Sequence, residues 1–192
     1  MKPILKFLLP VFAFSLSPLA FAQGTNYTIN FEQLPEWSSV TNQYDTAQYG
    51  NVTFSDALQL NACDFDCFDY PAHSGTGEIT NTANAITIAF SNTLNSIRGW
   101  YSAPDGIVLT VYNSLGTAIF TQAYGGTTQS SALFSYTGGG GKWITITAND
   151  GGLNETVDDL AYNVPEYGSS AMWLLMSLGA MTLGLAFRTR AA

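Results

Sequence analysis

Nowhere between residues 23 and 163 do apolar side chains return every three or four positions, and that missing helical period most constrains the fold. Short alternating runs stand in its place. In 85–90, Ile86, Ile88 and Phe90 share one face while Thr87 points to the other; in 142–147, Ile144 and Ile146 alternate with Trp143, Thr145 and Thr147. A period of two belongs to a half-buried antiparallel strand, whose successive side chains leave opposite faces. Strands are expected over 27–31, 51–55, 85–90, 96–102, 107–112, 118–124, 132–136, 142–147 and 156–162. Short strands with Gly-rich links predict an all-β, antiparallel β-sandwich, most simply a jelly roll. Asn113-Ser114-Leu115-Gly116 suits a hairpin with a bulge. Gly138 to Gly141 reads as a flexible loop; it lacks the strand-to-helix setting of a phosphate loop.

The ends are of another kind. Lys2 and Lys6 precede an apolar run from Phe7 to Leu19, and Ala20-Phe21-Ala22 supplies a small-residue cleavage pattern. Residues 1–22 therefore read as a secretory signal peptide. Gly168 to Phe187 carries no charge and is followed by Arg188 and Arg190. A helix of about 20 residues spans about 30 Å, enough to cross a bilayer. Its trailing arginines would stay cytoplasmic, leaving the expected domain, 23–163, outside.

Charge excludes more than it identifies. All the acidic residues but Glu166 lie in 23–163, against two bases, Arg98 and Lys142. Nothing here could neutralise a row of phosphates, so nucleic acid is excluded as a partner. One histidine and two cysteines leave too few ligands for a closed zinc site of four His or Cys, and little for a Ser-His-Asp hydrolase. Cys63 and Cys67 are expected to close a small disulfide loop in an exported protein. His73, beside Ser74, reads as structural, because neighbours on an extended chain point apart. Val157 and Leu160 are three apart, so either a bulge lies between them or Asp158 or Asp159 points inward. An inward carboxylate is costly unless something cationic meets it. Trp37, Trp100 and Trp143, with Tyr101 and Tyr124, are candidates for stacking on sugar rings. Trp143 leads, because it lies opposite Ile144 and Ile146.

Val164-Pro165-Glu166-Tyr167, the uncharged helix 168–187 and the basic end 188–192 together resemble the PEP-CTERM sorting signal of exported bacterial proteins. Tyr167 stands where that family usually has a second proline. The resemblance implies a tail, 164–192, removed by an exosortase, a membrane cysteine protease, with the protein passed to the cell surface or extracellular matrix. The middle is similar to a domain type common among such precursors. Its marks are Ile29-Asn30-Phe31-Glu32, Tyr49-Gly50-Asn51-Val52-Thr53-Phe54, Pro71-Ala72-His73-Ser74-Gly75 and Val157-Asp158-Asp159-Leu160. Those domains resemble carbohydrate-binding modules. The resemblance implies a structural calcium between Glu32 and Asp158 or Asp159, its remaining oxygen ligands drawn from backbone carbonyls. The function expected is that of a non-enzymatic exported surface protein. The alternative is a carbohydrate-binding module acting through Trp143, with polysaccharide as partner; a carboxylate-dependent hydrolase has no positive mark.

Overall fold

The computed structural model describes residues 24–62, 69–152 and 154–165. The expected signal peptide, Cys63 and Cys67, Glu166 and the membrane segment lie outside them. Among the described residues no helix is long and apolar enough to cross a membrane.

Among the described residues the chain is all-β, apart from one 3-10 turn at Ala47–Tyr49, with antiparallel pairing throughout. Its strands are β1 (Thr25–Ile29), β2 (Val52–Ser55), β3 (Ala57–Asn61), β4 (Gly77–Asn81), β5 (Ile86–Ser102), β6 (Ile107–Tyr112), β7 (Ala118–Tyr124), β8 (Ala132–Ala148) and β9 (Thr156–Val164). Two of them are long and serve both layers of the sandwich. The first half of β5 pairs with β2 and the second half of β8, whose other edge continues to β6 and then β7. The second half of β5 pairs with β9 and the first half of β8; β9 in turn carries β1 and β4, and β3 lies outside β4.

The bend between the layers corrects the expectation of a loop at Gly138–Gly141. These glycines lie inside β8, where the register with β5 shifts around Leu94. Gly139 and Gly140 have φ of 70° and 80°, a left-handed backbone that side chains with a Cβ resist. The glycines turn a corner within a strand and so join two expected strands into one. The same happens across Ser91–Asn95 in β5. β3 and β4 were not foreseen. The hairpin at Asn113–Gly116 forms as expected, with Gly116 at φ 80° and a register shift beside Tyr112.

One hydrophobic core fills the space between the layers, with Phe31, Phe54, Phe134, Ile79, Ile88, Ile144 and Ile146 fully buried. Phe31, Tyr44 and Phe54 meet edge to face with centroids 5.7–5.8 Å apart. Each large side chain so buried contributes roughly 1.5–3 kcal/mol through the water it leaves. Val164, expected to open the tail, instead closes β9: it pairs with Thr25 and is buried in the core.

Candidate functional site

The site is built on the outer face of the layer β1-β9-β5-β8. Alternation along β5 sends Ile97 and Tyr101 into the core and Ser96, Arg98 and Trp100 outward. The register then lines outward residues into rows across four strands. One row is Asn26, Asn163, Ser96 and Thr137; the next is Thr28, Ala161, Arg98 and Ser135. Trp100 follows, opposite Leu133 on β8 and Asp158 on β9.

Short side chains at Ala161, Ser96 and Ser135 leave this face hollow. A depression of about 440 Å³ is lined by β1, β5, β8 and β9 around Arg98. A second, of about 380 Å³, runs on to Asn30, Trp100, Leu133 and Asp159. Both include Thr28, Arg98 and Ala161, so they form one open groove. Its lining combines the hydroxyls, amides and guanidinium of Thr28, Ser96, Ser135, Thr137, Asn26 and Arg98 with the Trp100 indole, the Leu133 side chain and the Asp159 carboxylate. Asparagines frame one end: Asn163 Nδ2 donates to Asn26 Oδ1, and Asn95 Nδ2 donates to Asn163 Oδ1, both at 2.9 Å.

At the other end the bulge decides the geometry. Asp159 takes φ 47°, and the β5–β9 register slips between Arg98 and Trp100. Val157 and Leu160 consequently both reach the core, while Asp159 stays half-exposed and Asp158, 2% exposed, is buried. The bulge offered by the sequence forms, and one carboxylate, Asp158, is buried as well.

The loop after Tyr70 folds over these carboxylates. Asp158 Oδ2 accepts the backbone N–H of His73 and of Ser74, each at 2.9 Å, and Oδ1 accepts that of Asp159 at 2.6 Å. Glu32 holds the far end of the same loop. Its Oε1 accepts from Gly77 N at 2.8 Å and Thr76 N at 3.1 Å. Gly75 fits between, at φ 55°, where a Cβ would run into the Glu32 carboxylate. His73 Nδ1 lies 2.6 Å from Asp159 Oδ2, and its ring lies flat on Trp100, centroids 3.7 Å apart.

Burial pushes Asp158 up to about 6, with the amides of Ser74, Asp159 and His73 pulling it back and Asp159 adding to the rise. Glu78, on the neighbouring strand, is 1% exposed; burial raises it to about 8, and Asp158 adds to the shift. Burial and the neighbouring Asp158 both favour the protonated form of Glu78.

Of the expected cation ligands, the fold brings Asp158 and Asp159 together with His73, their ligand atoms within 4.8 Å of one another. Glu32 is instead tied to Thr76 and Gly77. Calcium seeks six to eight oxygens. Here the carboxylates are met by N–H groups and an imidazole, which offset in part the burial that a cation was expected to offset. The residues present do not match that ion's preference. Trp143 is outside the groove: it lies on the opposite layer, half-buried and stacked on Tyr112 with centroids 5.4 Å apart. Trp100, among the aromatic candidates, is the one in the groove. Sequence reasoning missed Arg98 as a groove residue and Glu78 as a buried acid.

No protein-family model matches the chain, and no curated protein resembles it recognisably. Solved structures similar to it include a carbohydrate-binding module of Cellvibrio mixtus lichenase 5A in complex with cellotriose. It is 12% identical with a TM-score of 0.39, covering 69% of this chain and 100% of that one. A family 35 module from Paenibacillus barcinonensis is 18% identical with a TM-score of 0.39, covering 71% and 96%. A family 29 module complexed with cellulohexaose is 10% identical with a TM-score of 0.42, covering 72% and 91%.

Proposed function

We propose that this chain is an exported, non-enzymatic protein of the cell surface or extracellular matrix whose jelly-roll-like sandwich binds a polysaccharide. The carrying observation is the groove. It is open, crosses four strands, and sets hydroxyls, amides and Arg98 beside the Trp100 indole and the Leu133 side chain, a mixed polar and apolar surface suited to a chain of sugar rings. A compact ligand would ask for an enclosed pocket. The reading as a binding protein is supported by the commitment of Asp158, Asp159 and Glu32 to N–H and imidazole partners within the fold. Delivery through a signal peptide, a PEP-CTERM-type tail and an exosortase is part of the same proposal, resting on residues 1–22 and 164–192 of the sequence.

Affinity electrophoresis of the mature protein through gels carrying soluble polysaccharides tests the groove. Retardation is expected in at least one gel, and Ser135→Trp, which fills the groove from an outward position, removes it. No retardation in any gel overturns the reading. Intact mass and cell fractionation test the delivery, with loss of both ends expected; a cytosolic chain that keeps Met1 overturns it.

A further inference from the structure

We propose that the groove takes a carboxylate-bearing glycan, a mainly neutral polysaccharide with scattered uronate rings, and that Arg98 recognises the carboxylate. This rests on the polysaccharide-binding reading of the same groove. Cations are scarce in this chain: among the described residues the Lys and Arg side chains are Lys142 and Arg98 alone. Lys142 is engaged at the bend, donating to the Ser91 carbonyl. Arg98 is exposed in the middle of the groove and has no hydrogen-bond or ion-pair partner among the described residues.

The register shows why. Its neighbours on either side are Ala161 on β9 and Ser135 on β8, too short and too neutral to cover or pair with a guanidinium. The one carboxylate in the groove, Asp159, is held by His73 at 2.6 Å. An acidic chain thus leaves its groove cation unneutralised where a ligand would lie. A guanidinium presents a planar fork of donors that a carboxylate accepts in pairs. Around it stand the hydroxyls of Thr28, Ser96, Ser135 and Thr137, which match sugar hydroxyls. One cation set among neutral polar groups fits a carboxylate carried on a sugar, whereas a dense polyanion would ask for many. The chain's net charge of −8 opposes such a polymer as well.

The test is isothermal titration of the mature protein with glucuronoxylan and gum arabic, polymers whose uronate rings are scattered among neutral ones, and with each polymer after reduction of its carboxyl groups to hydroxymethyl. At least one acidic polymer is expected to bind about tenfold or more tighter than its reduced form, the worth of a charge-assisted hydrogen bond. Arg98→Gln is expected to erase that preference with an unchanged Tm. Equal binding of acidic and reduced forms, or an Arg98→Gln protein that keeps the preference, overturns the assignment. Binding confined to neutral polymers and lost in Ser135→Trp also overturns it while leaving the groove's role standing. Absence of binding to every acidic, reduced and neutral polymer overturns both.

Discussion

The imidazole of His73 lies on the indole of Trp100 with planes 9° apart, joining a loop to the floor of the groove. The stack covers one face of the indole and fixes its orientation. A sugar ring meeting Trp100 therefore meets an aromatic already in place, with less side-chain freedom left to lose. His73→Ala is expected to lower stability by about 0.5–1.5 kcal/mol, the worth of a stacked pair beyond its area. Urea denaturation measures this, and a midpoint that does not move would show the stack to be incidental.

Asp158 and Glu32 hold the two ends of one loop, and the loop is expected to answer to both. Asp158→Ala leaves the N–H groups of His73, Ser74 and Asp159 without their acceptor, at a cost of about 3 kcal/mol. Hydrogen exchange should quicken at residues 73–77 in Asp158→Ala and in Glu32→Ala alike. If the loop is one unit, the double variant loses less than the two single losses added together. Strict additivity in a double-mutant cycle would separate the two ends.

The bulge in β9 was legible because Val157 and Leu160, three residues apart, break the alternation of a regular strand. What lay across from it was not. His73 is 85 residues from Asp158 and 86 from Asp159, and no local pattern reports a contact at that distance. β3 was hidden because Ala57, Gln59 and Leu60 are all buried, so no face alternates. β4 was hidden because Glu78 is buried beside Ile79. Gly138–Gly141 suggested flexibility because glycine permits it; the tertiary pairing with Leu94 turns the same freedom into a fixed corner. Trp143 was correctly placed on an outer face, but alternation cannot say which of two layers is hollow. That depends on the short side chains at Ala161, Ser96 and Ser135, which lie on three different strands.

Gly99 faces the core from β5 with no room for a side chain. A Cβ built there would lie 2.6 Å from Leu160 Cδ2 and 2.7 Å from Phe134 Cζ. Neither can retreat in a packed interior, so Gly99→Ala is expected to destabilise by about 1–3 kcal/mol. Gly125→Ala, with nothing within 4 Å, is the control and should stay within about 0.5 kcal/mol. Equal melting temperatures for the two variants would contradict the packing around Leu160.

Three buried acids set the pH dependence of stability. Burial raises Glu78 from 4.5 to about 8, Glu155 from 4.5 to about 8, and Asp158 from 3.8 to about 6. Between each ordinary value and its raised one, the folded protein keeps a proton that the unfolded chain has released. Folding then binds protons, so stability falls as pH rises through that window. The contribution is complete below about 4 and is lost by about 8 for the glutamates and by about 6 for Asp158. Tm is therefore expected to decline from pH 5 to about pH 8 and to level off above it in calorimetry. Glu155 sharpens the point, because both its carboxyl oxygens are buried and without a hydrogen-bond partner among the described residues. Glu155→Gln and Glu78→Gln need no proton to stay neutral, so each should flatten the decline and raise Tm at pH 9. A Tm that climbs between pH 5 and pH 9 would show that these carboxyls are ionised in the folded protein.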